Sequence, residues 1–281
     1  MAKCKILTNS VSDLSPELAA AYDVHVIPDV ILFKGREYLN NIDIQPRQLY
    51  DMIRGDPVLP STSHPNPFTY TEHFYKFTDY EEILCIIVST KMSGSYDTAM
   101  QAVRMMEEDG CKTRIYPYDS LNASYGMALQ VIRAAELARE GLGAEEIIRE
   151  LDRFRGRVGA YFCMKTLENA RKGGRIGEVK CLTADLLGIK PVLAFQEGTI
   201  RDLNLTRSFD KALMRIFRYY QERAKKGGLV FVCHGNNESA AMQMKEWVTQ
   251  FDPAADVRVE WIGAVISIFT GEGTIGLVFG E

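Results

Sequence analysis

Aliphatic and β-branched runs alternate along the chain with stretches whose apolar positions recur every three or four residues, a pattern that predicts strands and helices in turn. Strands are expected at residues 3–8, 83–88, 112–118 and 158–164. A β-branched segment at 24–33 turns through 34–38 into a short partner strand. Tyr96, Ala99, Met100, Val103 and Met106 share one face of a helix, as do Met127, Val131, Ala134, Ala135 and Ala138 in a helix over 126–139. The same reasoning predicts helices at 16–22, 43–54, 68–77, 144–154, 165–172, 208–226 and 240–251. Strands are expected at 190–195 and 199–206, joined at Glu197-Gly198, and at 229–234, 257–268 and 275–279.

Strands that alternate with helices imply parallel βαβ units, so the expected fold class is α/β. At 281 residues the chain exceeds the usual size of one compact core. We therefore expect two α/β domains. The first, residues 1–156, would carry a mainly parallel sheet, and the second, residues 157–281, a hairpin and a mixed sheet.

Candidate chemistry lies in the loops. Residues 83–88 run into Ser89-Thr90-Lys91-Met92-Ser93-Gly94-Ser95, which opens a helix. Ser93 there is either a helix cap or one donor of an anion site, because the first turn of a helix leaves N–H groups unpaired. Four prolines between Pro57 and Pro67 enforce a stiff, extended surface loop around Ser61-Thr62-Ser63. Its hydroxyls either bind a ligand or cap the next helix. In parallel sheets ligands sit outside the carboxyl ends of the strands, so the loops beginning at Thr8, Ser89 and Asp119 should line one crevice. Arg171, Lys172 and Arg175 gather around Gly173-Gly174, where a helix C-terminus favours basic residues whatever the function.

Composition narrows the function classes. The 33 basic and 37 acidic residues give a net charge of −4 and no footprint for nucleic acid. No apolar run approaches the ~20 residues that cross a bilayer, so stable membrane insertion is not expected. The N-terminus lacks the pattern of a signal peptide, which points to the cytoplasm. The six cysteines are scattered and read as core residues. Gly271-Glu272-Gly273-Thr274-Ile275-Gly276 fits the dinucleotide fingerprint in letters only, since no helix and second strand can follow it before Glu281. The four histidines have no metal-ligand spacing, and neither a Walker A loop nor a G-x-S-x-G elbow is present.

Six short motifs in order resemble the DegV family of bacterial fatty-acid-binding proteins over essentially the whole chain. They are Thr8-Asn9-Ser10 with Asp13-Leu14, Pro60-Ser61-Thr62-Ser63-His64-Pro65, Ser93-Gly94-Ser95-Tyr96, Asp119-Ser120, Gly173-Gly174-Arg175-Ile176 and Ile189-Lys190-Pro191. The resemblance implies a long-chain fatty acid in an apolar tunnel between two domains, with no other cofactor and no independent catalysis. Its carboxylate would be held by Thr62 and Ser93, with Ser63, Gly94 and Ser95 beside them. It further implies presentation of the acid to a separate fatty acid kinase, with Arg175 and Arg207 as candidates for phosphotransfer or partner contact. Two positions depart from the family pattern: Asn9 replaces an aspartate, and Phe269 replaces a histidine that supports the head group.

Such a division of labour is physically sound. Each methylene removed from water contributes ~0.8 kcal/mol, so the chain supplies the affinity and the head group only the orientation. Two competing readings are a serine-dependent acyl hydrolase or transferase using Ser93 and His64, and a phosphate-ester module built on Arg175.

Overall fold

The computed structural model describes residues 3–174 and 188–281. From the N-terminus, β1 (Cys4–Asn9), α1 (Pro16–Ala21) and β2 (His25–Ile27) form a first α/β unit. The antiparallel strands β3 (Val30–Phe33) and β4 (Arg36–Leu39) follow, then α2 (Pro46–Ile53), the short β5 (Ser61–Ser63) and α3 (Pro67–Tyr75). β6 (Glu82–Ile87), α4 (Ser95–Glu108), β7 (Arg114–Asp119), α5 (Ser124–Arg139) and α6 (Ala144–Arg155) complete this half.

β2-β1-β6-β7 make a four-stranded parallel sheet, as the alternation of strand and helix requires. The chain leaves β1 on one side and returns as β6 on the other, which creates a switch point between them. β4-β3-β5 form a separate three-stranded antiparallel flap.

The second half begins with β8 (Val158–Cys163) and α7 (Glu168–Gly173). β9 (Lys190–Gln196) and β10 (Thr199–Thr206) form a hairpin, followed by α8 (Phe209–Arg223), β11 (Leu229–His234) and α9 (Glu238–Phe251). β12 (Asp256–Trp261), α10 (Ala264–Thr270) and β13 (Ile275–Gly280) end the chain. The six-stranded sheet has the order β10-β9-β8-β13-β11-β12 and is mixed, only β11 and β12 being parallel.

This sheet has two buried faces. Tyr161, Val232 and Leu277 pack towards α8 and α9, whereas Ala160, Cys233 and Val278 join the larger cluster that continues into the parallel sheet. Between the sheets lies α5, buried on nearly all sides and packed against β1 and β6 as well as β8 and β13.

The expected α/β class and the two sheet types are present. Residues 257–268, however, are not one strand: β12 ends at Trp261 and α10 begins at Ala264. A short apolar run has no periodicity that separates strand from buried helix. Gly263 decides the matter, since a side chain built there would place Cβ 2.1 Å from the buried Asp13 carboxylate. The chain turns at this contact, and the Ser267 hydroxyl donates to the Ile262 carbonyl. The proline-rich loop also differs from expectation, because Ser61–Ser63 pairs with β3 as an edge strand, where prolines at its flanks are tolerated. The helix expected over 43–54 starts only at Pro46, with Gln45 and Gln48 closing a capping box.

Gly263→Ala should overpack the Asp13 contact and lower the urea midpoint by an amount equivalent to about 1–3 kcal/mol. An unchanged midpoint would show that Asp13 can move aside.

Candidate functional site

The three loops expected to converge do so. Val11 after β1, Thr90, Met92 and Ser93 after β6, and Ala123 and Ser124 after β7 all line one cavity of about 480 Å³. The flap contributes Thr62 and Ser63, followed by His64. The far wall comes from the mixed sheet through Ala160, Phe162, Phe195, Cys233 and Val278, and from α10 through Val265 and Phe269. The volume is in the range of small-molecule sites, ~300–1,000 Å³, and most of the lining is apolar.

The cavity has a polar end. Thr62 is held in register opposite Ile31 and Ser63 opposite Val30. Ser93 and Gly94 stand at the start of α4, where backbone N–H groups and the helix dipole favour negative charge. Gly94, not Ser93, is the N-cap residue of α4, but the Ser93 Oγ accepts the Ser95 N–H at 3.2 Å and so shares in the cap. Asp119 fixes the approach to this turn: its carboxylate accepts the Thr90 hydroxyl at 2.7 Å, the Thr90 N–H at 3.3 Å and the Leu121 N–H at 2.9 Å. The Ser89 hydroxyl donates at 2.6 Å to the carbonyl of Gly198 in the β9–β10 turn, tying the loop to the mixed sheet. Gly198 needs its hydrogen there, with φ +80° and a built Cβ only 2.7 Å from Ser89 Oγ.

Not every expected residue reaches the cavity. Ser95 is fully buried and shares a 2.7 Å hydrogen bond with the Tyr70 hydroxyl. Arg207 is exposed at the bend between β10 and α8 and does not line the space. Arg175 lies outside the described residues. Ser93 and His64 share the polar end, but the His64 Nε2 pairs with Thr98 Oγ1 at 3.0 Å and not with Ser93.

Two buried acids, Asp29 and Asp13, stand near this end, and of the two only Asp13 falls within a sequence motif. Asp29 is buried and lines the cavity. It accepts the Ser10 hydroxyl at 2.8 Å and the Asn9 amide at 3.3–3.4 Å. Asn9, the departure from the family's aspartate, thus supplies donors where an acid would add like charge. Asp13 accepts the Ser124 hydroxyl, and Ser124 holds this place with φ +51°. Burial raises the Asp29 carboxyl to about 6, against the hydrogen bonds of Ser10 and Asn9. Burial likewise raises Asp13 to about 7, against the Ser124 hydroxyl. At the second departure, Phe269 presses its ring onto Gly173, where a built Cβ would lie 2.4 Å from Cδ1. It makes that part of the wall apolar.

The family model for uncharacterised proteins of the DegV family matches residues 3–281. The chain belongs to the DegV family. A DegV domain-containing protein of Halalkalibacterium halodurans is 30% identical over 281 residues, covering 99% of this chain and 98% of its own. Among solved structures, the fatty-acid-binding DegV family protein of Thermus thermophilus superposes with a TM-score of 0.90 at 28% identity, covering 99% and 100% of the two chains. DegV of Bacillus subtilis, a fatty acid binding protein, superposes with a TM-score of 0.91 at 27% identity, covering 99% of each. Among the described residues of this DegV protein no helix is long and apolar enough to cross a membrane.

The buried acids make stability depend on pH. Each has a folded-state pKa above the ordinary 3.8, so the unfolded chain releases its proton first as pH rises. Stability is therefore greatest below about pH 4 as far as these groups act, and declines until Asp29 and Asp13 ionise in the folded protein at about 6 and about 7. Asp29→Asn should shrink the difference between urea midpoints at pH 4.5 and 8. An undiminished difference would contradict the assignment.

Proposed function

We propose that this chain binds a long-chain fatty acid, with the acyl chain in the cavity between the two sheets and the carboxylate at Thr62 and Ser93. One observation carries the reading: a largely apolar cavity whose hydroxyl-bearing end lies at the start of a helix. The fatty-acid-binding relatives with the same fold support it. Residues 1–156 and 157–281 act in this reading as two domains that close on the chain.

The head group belongs at the outer end. Ser63, His64 and Gly94 there are exposed, while Ala160, Cys233 and Val278 are buried. A carboxylate near water escapes the several kcal/mol that an unpaired buried charge would cost. Ser63 and Gly94 shape the same end, and the proposal leaves Ser95 to hold α4 through Tyr70. An outward carboxylate is also what a fatty acid kinase would need in order to phosphorylate it, and the exposed Arg207 is available for such a partner. In this reading the protein is a binding subunit and not itself a catalyst. The hydrolase alternative is not favoured, because no hydrogen bond joins His64 to Ser93: His64 Nε2 pairs with Thr98 Oγ1, and the Ser93 Oγ accepts the Ser95 N–H.

Delipidated protein should take up palmitate or oleate, and protein purified from bacteria should carry a fatty-acid mass in native mass spectrometry. Thr62→Val and Ser93→Ala should each weaken palmitate binding by about tenfold or more, the worth of a hydrogen bond to a charged group, with the circular dichroism spectrum unchanged. Shortening the acid by one methylene should cost about fourfold in Kd. Failure to take up either acid would overturn the reading.

A further inference from the structure

The polar end holds one ionisable side chain whose geometry goes beyond the two hydroxyls. His64 lines the cavity next to Thr62 and Ser63, and its ring lies over Gly94, whose built Cβ would be 3.5 Å from His64 Cε1. Its Nε2 is 3.0 Å from Thr98 Oγ1. The Thr98 hydroxyl has one proton, and at 3.2 Å it donates that proton to the Gly94 carbonyl one turn back along α4. Thr98 Oγ1 can then only accept from the ring, so Nε2 carries a hydrogen and the neutral ring leaves Nδ1 unprotonated. Among the described residues Nδ1 has no hydrogen-bond partner.

We propose that His64 is a head-group residue: tethered by Thr98 over the start of α4, its protonated ring offers Nδ1–H to the ligand's carboxylate, and its neutral ring does not. This rests on the fatty-acid reading above and deepens it. The free protein disfavours the proton, because partial desolvation of the otherwise exposed ring lowers the His64 pKa and a cation beside a helix N-terminus is poorly placed. A bound carboxylate removes that disadvantage, so binding and protonation favour each other.

The surrounding charges do not take over this role. Asp97 precedes Thr98 on α4, Lys91 leans towards Gly198, and Asp29 lies on the cavity wall. The downward shift of His64 has partial desolvation as its cause. Asp29 has a pH dependence of its own, since its ionised form repels an anion. The informative quantity is therefore the difference between wild type and His64→Gln, in which a neutral amide can still reach Thr98.

The test is palmitate affinity of delipidated wild type and H64Q between pH 6 and 8.5, with hexadecanol as the uncharged ligand. An adjacent carboxylate raises a histidine pKa by about 1–3 units, so the Kd ratio of H64Q to wild type should be about threefold or more near pH 6 and fall towards one by 8.5. Hexadecanol should show no such trend. With [¹³C]histidine-labelled protein, the His64 titration, assigned by its absence in H64Q, should move upward with palmitate and stay in place with hexadecanol. Parallel pH profiles for the two proteins, or a His64 titration that palmitate leaves unmoved, would overturn the role of His64 while leaving fatty-acid binding intact. Loss of palmitate uptake by wild type at every pH would instead remove both.

Discussion

The architecture depends on α5, a helix buried on all but the narrow face that carries Arg133, Glu136 and Arg139. Held between the parallel and the mixed sheet, it buries residues towards both, Tyr125 and Met127 among them, and so fixes how far apart the sheets stand. Small residues then line the remaining space: Ala123 and Gly126 at the start of α5, Ala160 on β8, Gly276 on β13. Protein interiors normally close to crystal-like density. A large apolar space left here suits a flexible hydrocarbon chain, and in the proposed reading the affinity would reside in that burial.

In the same reading, orientation would fall to the other end. The switch point between β1 and β6 brings three loops together, and polar contacts set each of them. Asp119 braces the β6–α4 turn, Ser89 links it to the β9–β10 hairpin, and Ser10 with Asn9 satisfies Asp29. Because these contacts are buried or shared between segments, the proposed head-group hydroxyls of Thr62 and Ser93 would be presented without rearrangement, and preorganisation of this kind reduces the entropy cost of binding. The acids beside the site reduce stability as pH rises from about 4 through their folded-state values of about 6 and about 7.

Much of this was legible in the chain. Apolar runs at 3–8 and 83–88 marked strands that proved fully buried, and the rule for parallel sheets placed the loops after them at one site. The six motifs marked Thr62 and Ser93, which do line the cavity. Local patterns could not show what depends on distant partners. Ser95 belongs to the same motif as Ser93, yet one step along the helix start turns it onto Tyr70. The apolar run 262–268 became a helix because Gly263 meets Asp13, a residue some 250 positions away in sequence. Asp29 gave only a weak signal, an acid after Pro28 between two strand-like runs. Its burial goes with the hydrogen bonds that it makes to Asn9 and Ser10 at the end of β1.

The most direct test of the central claim is a crystal structure of the delipidated protein loaded with palmitate bearing bromine on its terminal carbon. The account predicts an anomalous bromine peak inside the apolar part of the cavity, with carboxylate density within hydrogen-bond distance of Thr62 Oγ1 and Ser93 Oγ. Bromine at the Thr62 end, or a ligand lying outside the space between the sheets, would contradict it.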